Sequence, residues 1–135
     1  LIRSGNQHSA LDRKTVLVVE DISSNYLLIS AMLSKHYNLL HAVNGEQAVA
    51  MVKEYKIDLL LMDMKMPVMD GLTATAEIRK FDTNIPIVAL TAHAFESDKV
   101  AALKSGCNDY LVKPVDKARL MSVLRKYCHP STLVL

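Results

Sequence analysis

Acidic residues stand directly after two apolar segments of strand length, and they carry the clearest chemistry in this sequence. Glu20 and Asp21 follow the run 15–19, and Asp63 follows the run 59–62. A run without polar alternation is typical of a strand buried on both faces of a parallel sheet. A carboxylate at the end of such a strand lies where open α/β sheets bind their ligands. We therefore expect these acids to form a functional site.

Two further apolar runs end in residues that can contact an anion. Thr91 follows the run 85–90 and offers a hydroxyl, and Lys113 follows the run 109–112 and offers a positive charge. Crowded carboxylates raise one another's pKa unless a cation compensates, and an all-oxygen cluster suits a hard divalent ion such as Mg²⁺. Acids, a metal ion, a hydroxyl and a lysine together predict a phosphoryl-transfer site with one carboxylate as nucleophile.

The elements that must position these side chains alternate along the chain. Each of five strand-like runs is followed by a segment whose apolar residues have helical spacing. Helix starts are indicated near Ser23 to Asn25, at Asn44-Gly45, at Asp70-Gly71 and at Asp116, and Gly106 marks a helix end. Alternation with short connections predicts one α/β domain, a doubly wound parallel sheet with right-handed crossovers. If the strand order reverses beside strand 1, the acidic ends of strands 1 and 3 meet in one crevice.

Composition argues against several other classes of protein. The 135 residues are half hydrophobic, which fits one ordinary domain with a core. Sixteen Lys and Arg stand against 14 Asp and Glu and are scattered, so a nucleic-acid-binding domain is not favoured. No apolar run approaches the roughly 18 residues of a membrane helix. Cys107 and Cys128 have no metal-ligand spacing and are predicted to be free thiols in a reducing compartment.

Four motifs in chain order resemble the receiver domain of two-component signalling. They are VLVVED, MDMKMPVMDG, VALTAHA and YLVKP. The motifs are most similar to those of receivers attached to hybrid sensor histidine kinases, and the resemblance covers residues 14–128. It implies a flavodoxin-like (βα)5 sheet with strand order 2-1-3-4-5. Residues 1–13 are then interpreted as a linker or arm, and residues 129–135 as a C-terminal tail.

The resemblance assigns roles to the acidic residues. Asp63 corresponds to the phosphoacceptor, which takes a phosphoryl group from a phosphohistidine. Asp21 and Asp63 correspond to direct Mg²⁺ ligands, Glu20 to an acid acting through metal-bound water, and the backbone carbonyl of Lys65 to the remaining protein ligand. Glu20 stands where Asp is more frequent, and Lys65 is a less usual residue two positions after the phosphoacceptor. That position influences hydrolysis of the acyl phosphate, so Lys65 is predicted to alter the phosphoryl lifetime.

The resemblance also assigns a catalytic and a switching role outside the acidic cluster. Thr91 and Lys113 correspond to residues that contact the phosphoryl oxygens. Tyr110 corresponds to the aromatic residue that, coupled to Thr91, reports phosphorylation to the surface of helix 4, strand 5 and helix 5, although a plain core residue is the alternative. The Lys113-Pro114 bond corresponds to a peptide that is often cis. His93 is interpreted as a surface residue rather than a catalytic acid or base.

The function that the resemblance implies is that of a receiver in a phosphorelay. Such a domain catalyses its own phosphorylation and slow dephosphorylation, and the parent chain is expected to be a histidine kinase. The expected partners are a histidine kinase core and a histidine phosphotransfer protein, docking beside helix 1 near Asn25 and Leu28. Direct contact with nucleic acid or membrane is not expected of this segment. The predicted location is the cytoplasm, and anchoring of a parent kinase in the inner membrane stays open.

Other functions stay open beside this one. A stand-alone single-domain regulator and a degenerate receiver acting only as an interaction module are alternatives, although retention of the five strand-end residues argues against the second. An aspartate-nucleophile phosphatase of the haloacid dehalogenase kind wants a second Asp two residues after the nucleophile, where Lys65 stands. A nucleotide-binding Rossmann domain lacks support, because no GxGxxG or GxxxxGK[ST] follows a strand.

Overall fold

The computed structural model describes residues 13–130, in which five parallel strands lie between two layers of helices. The elements in chain order are β1 (Thr15–Val19), α1 (Ser23–Leu33), β2 (Asn38–Ala42), α2 (Gly45–Glu54), β3 (Leu59–Asp63), α3 (Gly71–Arg79), β4 (Ile87–Thr91), α4 (Glu96–Ser105), β5 (Asp109–Val112) and α5 (Lys117–Tyr127). The sheet has the order β2-β1-β3-β4-β5, and every neighbouring pair is parallel. The predicted fold and strand order are therefore confirmed. The predicted domain limits at 14 and 128 stay predictions, and most of the predicted arm and tail lies outside the described residues.

The two faces of the sheet carry separate hydrophobic layers. All five residues of β3 and of β4 are buried, as their unbroken apolar runs predicted. Leu59 and Leu61 pack in the layer that holds α1 and α5, whereas Leu60 and Met62 pack in the layer that holds α2, α3 and α4. Because side chains alternate across a strand, a slip of one residue would exchange the two layers. The core therefore fixes the register, and with it the place where each strand ends.

Polar residues define the start of three helices. Asn44 and Asp70 cap α2 and α3, each accepting a hydrogen bond from the backbone N–H three residues on. Asp116 caps α5 in the same way, accepting from Arg119 N. Gly106 ends α4 with a φ of 116°, a left-handed conformation that favours glycine. All four positions agree with the sequence signals.

The start of α1 differs from the prediction. Ile22 occupies the N-cap position, and no side chain caps this helix. Ser23, Ser24 and Asn25, which the sequence offered as caps, already lie inside the helix or at its first turn. The physical reason is the short β1–α1 connection: the strand ends at Val19, and helical hydrogen bonding to Ile22 O begins at Asn25 N. The cap position thus falls on an apolar residue.

The helices of the described part are short. Each of the five has between 9 and 11 residues. Crossing a bilayer takes about 20 predominantly apolar residues in a helix. Within residues 13–130, no helix therefore has the length and apolar character of a membrane span.

A buried tyrosine ties the end of α5 to the start of β2. Tyr37 is 1% exposed, and its hydroxyl donates a 2.7 Å hydrogen bond to the carbonyl of Cys128. Burial raises the pKa of Tyr37, so the hydroxyl stays protonated and available as a donor. We expect Tyr37→Phe to lower the free energy of unfolding by about 1–2 kcal/mol, because the buried carbonyl loses this donor. Urea denaturation followed by circular dichroism measures the change.

The matched control for this prediction is Tyr127→Phe. The Tyr127 hydroxyl also bonds to a backbone carbonyl and to Asp109, but this contact is more accessible to water. Water can bond to the groups that lose the Tyr127 hydroxyl, so we expect the free energy of unfolding to fall by less than about 0.5 kcal/mol. Equal losses in the two variants would contradict the assigned role of the buried hydroxyl.

Candidate functional site

The acidic residues converge at the carboxyl ends of β1 and β3. Val19 lies opposite Met62 in the ladder between these strands, so Glu20 and Asp63 leave the sheet side by side. One carboxylate oxygen each from Glu20, Asp21 and Asp63 lies within 4.8 Å of the others. The structure therefore brings together the three acids that the strand order was expected to join.

Lys113 lies between two of these carboxylates. Its Nζ is 3.0 Å from Glu20 Oε1 and 3.1 Å from Asp63 Oδ2. The position of Lys113 follows from the neighbouring strand, because its backbone N–H donates to Thr91 O at 2.7 Å. Glu20 is fully buried and Asp63 is 4% exposed, so these ion pairs lie largely out of water. One lysine does not balance three carboxylates, and the ionised cluster has a net charge of −2.

Backbone N–H groups donate hydrogen bonds to two of the acids. Glu20 Oε2 accepts a hydrogen bond from Ile22 N at 3.3 Å, and Asp63 Oδ1 accepts one from Lys65 N at 3.2 Å. Glu20 Oε1 is buried and makes an ion pair with Lys113 Nζ at 3.0 Å.

Burial and the neighbouring side chains shift the pKa values of Asp63 and Glu20 in opposite directions. Burial, reinforced by the neighbouring Glu20 carboxylate, raises the pKa of Asp63 to about 6. Burial alone would raise the pKa of Glu20, but the contacts with Lys113 and Asp63 outweigh it and lower that pKa. Burial likewise opposes the charge of Lys113, but its two carboxylate partners raise its pKa overall. In the metal-free protein, Asp63 is therefore the acid of this pair that more readily takes up a proton.

The residues of this cluster fit a hard divalent cation. The donor set is all oxygen, and the net charge of the ionised cluster is negative. These are the properties of sites that hold Mg²⁺. Glu20, Asp21 and Asp63 are the side chains that would hold it. The structure places the Lys65 backbone N–H on Asp63, and the predicted ligand role of the Lys65 carbonyl stays a prediction.

Thr91 follows Leu90, the residue opposite Asp63 in the ladder, whereas Tyr110 lies on β5 opposite Ala89. Thr91 is 4% exposed, and its hydroxyl donates to the backbone carbonyl of His93 at 2.9 Å. Tyr110 is partly buried, and Lys99 Nζ lies 4.9 Å from the centroid of its ring. The predicted coupling of Thr91 and Tyr110 stays a prediction. His93 is exposed, as expected for a surface residue, and its ring stacks on Phe95.

Two residues beside the acids were missed by sequence reasoning as parts of the site. His41 Nε2 lies 2.8 Å from the backbone oxygen of Glu20. Gly71 packs against the chain at the end of β3, where a Cβ atom would overlap the carbonyl of Asp63 and lie 2.8 Å from Met64 Cα. Gly71 had a sequence signal as part of the Asp-Gly turn. His41 had none, because its contact depends on the order of the strands.

Other predicted features are found as expected. The Lys113-Pro114 peptide bond is cis. Cys107 and Cys128 are both free and buried. Burial raises the pKa of each thiol, to about 11 for Cys128, which keeps both in the unreactive protonated form.

Comparisons with known proteins agree on one family. A family model described as the response regulator receiver domain matches residues 16–125. Hybrid signal transduction histidine kinase M of Dictyostelium discoideum is 40% identical over 119 residues, which cover 82% of this chain and 5% of that protein. The chain thus spans a small part of the length of this curated relative.

Two solved structures extend the comparison. The receiver domain of sensor histidine kinase PA1611 from Pseudomonas aeruginosa PAO1, with a magnesium ion coordinated in its active site cleft, is 39% identical with a TM-score of 0.79. The match covers 84% of this chain and 96% of that one. The second is the co-crystal structure of the Saccharomyces cerevisiae histidine phosphotransfer protein Ypd1 and the receiver domain of the response regulator Ssk1. It matches with 37% identity and a TM-score of 0.81, over 85% of this chain and 88% of that one.

Proposed function

Because the chain belongs to the response regulator receiver domain family, we propose that it accepts a phosphoryl group from a phosphohistidine onto Asp63. The observation that carries this proposal is the buried acidic cluster, in which Asp63 lies at the end of β3 with Lys113 Nζ 3.1 Å away. A degenerate receiver that served only as an interaction module would have no use for three converging carboxylates, which repel one another in the absence of a cation.

The proposed reaction uses Asp63 as the nucleophile. One of its carboxylate oxygens forms a bond to phosphorus while the bond between phosphorus and the donor imidazole nitrogen breaks, and the electron pair of that bond stays on the imidazole. Lys113 offsets the negative charge of the phosphoryl oxygens, and the Lys65 N–H orients the Asp63 carboxylate. Mg²⁺ held by Glu20, Asp21 and Asp63 would supply further neutralisation of the phosphoryl group.

Thr91 is proposed to respond to the new phosphoryl group. Its hydroxyl now donates to the His93 carbonyl. A phosphoryl oxygen on Asp63 is a stronger, charged acceptor, so we propose that the hydroxyl turns towards it. The loop after β4 would then change its contacts and pass the change to Tyr110 and the surface of α4, β5 and α5. This surface exposes apolar side chains, among them Val100 and Leu103.

The proposed partner surface lies on α1, next to the acidic cluster. Ile22, Leu27 and Leu28 are each half or more exposed. A groove beside them, between α1 and the loop after β5, is lined by Asn25, Leu28, Ile29, Pro114 and Val115, with Glu20 and Lys113 at its base. We propose that a histidine phosphotransfer protein docks here, as its phosphohistidine must reach Asp63. The similarity to receivers of histidine kinases favours a hybrid sensor kinase of the cytoplasm as the parent chain over a stand-alone regulator.

The test of the proposed function is phosphoryl transfer from a small donor. The protein is incubated with Mg²⁺ and acetyl phosphate, and its intact mass is measured with and without EDTA. We expect a Mg²⁺-dependent gain of one phosphoryl group that is absent in Asp63→Asn and retained in Asp116→Asn, a control in which asparagine still caps α5. Absence of the adduct in the parent protein would favour the interaction-module alternative.

Lys65 is predicted to prolong the life of the acyl phosphate. Its side chain is exposed, and its own backbone N–H donates to Asp63 Oδ1, so Lys65 lies next to the phosphoacceptor. A cation there attracts the phosphoryl oxygens and covers one approach of water. An exposed ion pair is worth up to about 1 kcal/mol, so we expect Lys65→Ala to shorten the phosphoryl lifetime by about two- to fivefold. The decay of the phosphorylated mass after removal of the donor measures this lifetime.

Lys65→Arg is the control for this prediction, because it keeps the positive charge at the same place. We expect its lifetime to remain within about twofold of the parent value. A Lys65→Ala protein whose acyl phosphate decays at the parent rate would remove Lys65 as a determinant of lifetime.

A further inference from the structure

The imidazole of His41 contacts the acidic loop from the neighbouring strand. Nε2 lies 2.8 Å from the carbonyl oxygen of Glu20. A carbonyl can only accept a hydrogen bond, so Nε2 carries the hydrogen and donates it. This holds for the Nε2-protonated neutral ring and for the charged ring alike.

The bond from His41 takes the place of a missing strand contact. The last ladder bond from β1 to β2 runs from Glu20 N to Ala42 O, at 2.9 Å. β2 ends at Ala42, and the chain turns at Asn44 into α2. No backbone N–H of the described part donates to Glu20 O in continuation of that ladder. The side chain of His41 supplies the donor, so both backbone groups of Glu20 are held by β2.

The same ring also contacts the helix that follows the acidic loop. Tyr26 of α1 stacks on His41, with 3.8 Å between ring centroids and 5° between ring planes. Since α1 has no side-chain cap, this stack is a contact that its first turns make with the sheet. One imidazole thus contacts the chain on both sides of Asp21, at the Glu20 carbonyl and at Tyr26.

The held segment carries two of the three clustered acids. The carboxylates of Glu20, Asp21 and Asp63 lie within 4.8 Å of one another with one lysine between them, and their mutual repulsion pushes the loop away from β3. The hydrogen bond to Glu20 O fixes the plane of the peptide that joins Glu20 to Asp21. That plane sets the direction in which both side chains leave the strand.

We propose that His41 is a positioning residue for the metal site, which holds Glu20 and Asp21 in the arrangement that a divalent cation requires. The inference rests on the proposed function, since it assigns a residue to the Mg²⁺ site of that function. It predicts that loss of the Nε2 donor weakens Mg²⁺ binding, whereas loss of the aromatic ring with retention of a donor does not.

The test is Mg²⁺ binding to three variants, measured by isothermal titration calorimetry and by backbone NMR shifts of the loop after β1. His41→Phe keeps the stack on Tyr26 and removes the donor. His41→Gln places an amide N–H at nearly the same distance from the backbone as Nε2. We expect an affinity about three- to tenfold weaker in His41→Phe and within about twofold of the parent in His41→Gln. His36→Gln, at an exposed position after α1, is the control and should bind as the parent does.

A second readout separates positioning from general stability. If His41 acts on metal binding, the rate of acetyl phosphate uptake by His41→Phe falls at low Mg²⁺ and returns to the parent rate when Mg²⁺ is in excess. Equal Mg²⁺ affinity in His41→Phe and the parent would overturn the inference and leave the proposed function intact. The inference would also be overturned if Mg²⁺ affinity fell in both His41→Phe and His41→Gln, in proportion to the free energy of unfolding that each variant loses. A parent protein that binds no Mg²⁺ would instead refute the site on which both proposals rest.

Discussion

Replacement of Asp63 by asparagine is expected to raise the free energy of unfolding of the metal-free protein at pH 8 by about 1–3 kcal/mol. Most substitutions of a buried residue destabilise a fold, so a gain in stability here would indicate that the charge of Asp63 destabilises the metal-free protein. The expectation follows from the site, where Asp63 is 4% exposed and lies beside the Glu20 carboxylate. Asparagine is close to aspartate in size and removes one of the three crowded charges.

The pH dependence of this gain follows from the pKa of Asp63. Burial and the Glu20 carboxylate raise that pKa from 3.8 to about 6 in the folded protein. The folded state therefore binds the proton more tightly than the unfolded state does. The stability associated with the protonated group is fully present below about pH 4 and is lost as the pH rises through about 6. A difference of roughly two pKa units corresponds to about 3 kcal/mol, which is the upper limit of the expected gain.

Urea denaturation in EDTA between pH 4 and pH 8 measures this effect. The gain from Asp63→Asn should shrink towards zero at pH 4, and Asp116→Asn, which keeps a helix cap, is the matched control. If Mg²⁺ binds as proposed, its addition should stabilise the parent protein more than Asp63→Asn, because the variant lacks one of the three carboxylates that would hold the cation. A metal-free Asp63→Asn protein less stable than the parent at pH 8 would contradict the described electrostatics.

Replacement of Gly71 by alanine is expected to lower the free energy of unfolding by about 2–3 kcal/mol. At an open position in a helix this change would add up to about 1 kcal/mol of stability. Here the new Cβ would overlap the carbonyl of Asp63 and lie 2.8 Å from Met64 Cα. These are backbone atoms at the end of a central strand, so they move only if β3 moves. The substitution would therefore also displace the phosphoacceptor proposed above.

Thr73→Ala is the matched control, because Thr73 is exposed in the first turn of the same helix. We expect it to change stability by less than about 0.5 kcal/mol. Thermal unfolding followed by circular dichroism compares the two variants, and Mg²⁺ titration reports whether the site is displaced. If Gly71→Ala had the stability and the Mg²⁺ affinity of the parent, the end of β3 could shift to admit the Cβ atom at little energetic cost, and the prediction would be wrong.

Much of the fold could be predicted because it depends on patterns within short stretches of sequence. The unbroken apolar runs ending at Asp63 and Thr91 became the fully buried strands β3 and β4. Asn44 and Asp116 cap their helices, and Gly106 ends α4, because each effect involves a few neighbouring residues. The parallel, doubly wound sheet followed from the alternation of these elements. The motifs at the strand ends predicted the acids that lie together.

The tertiary structure alone decided the contacts inside the site. Lys113 and Glu20 are far apart along the chain, and His41 reaches the Glu20 carbonyl from another strand. Periodicity and turn chemistry act over a few residues, whereas these contacts depend on which strands are neighbours and where each one ends. The start of α1 at an uncapped Ile22 was missed for the same reason, because the sheet fixes the exit of β1 and the stack of Tyr26 on His41 contacts the helix in place of a cap. The sequence thus determined which chemical groups are present at the strand ends, and the packing of the sheet determined their distances, partners and pKa values.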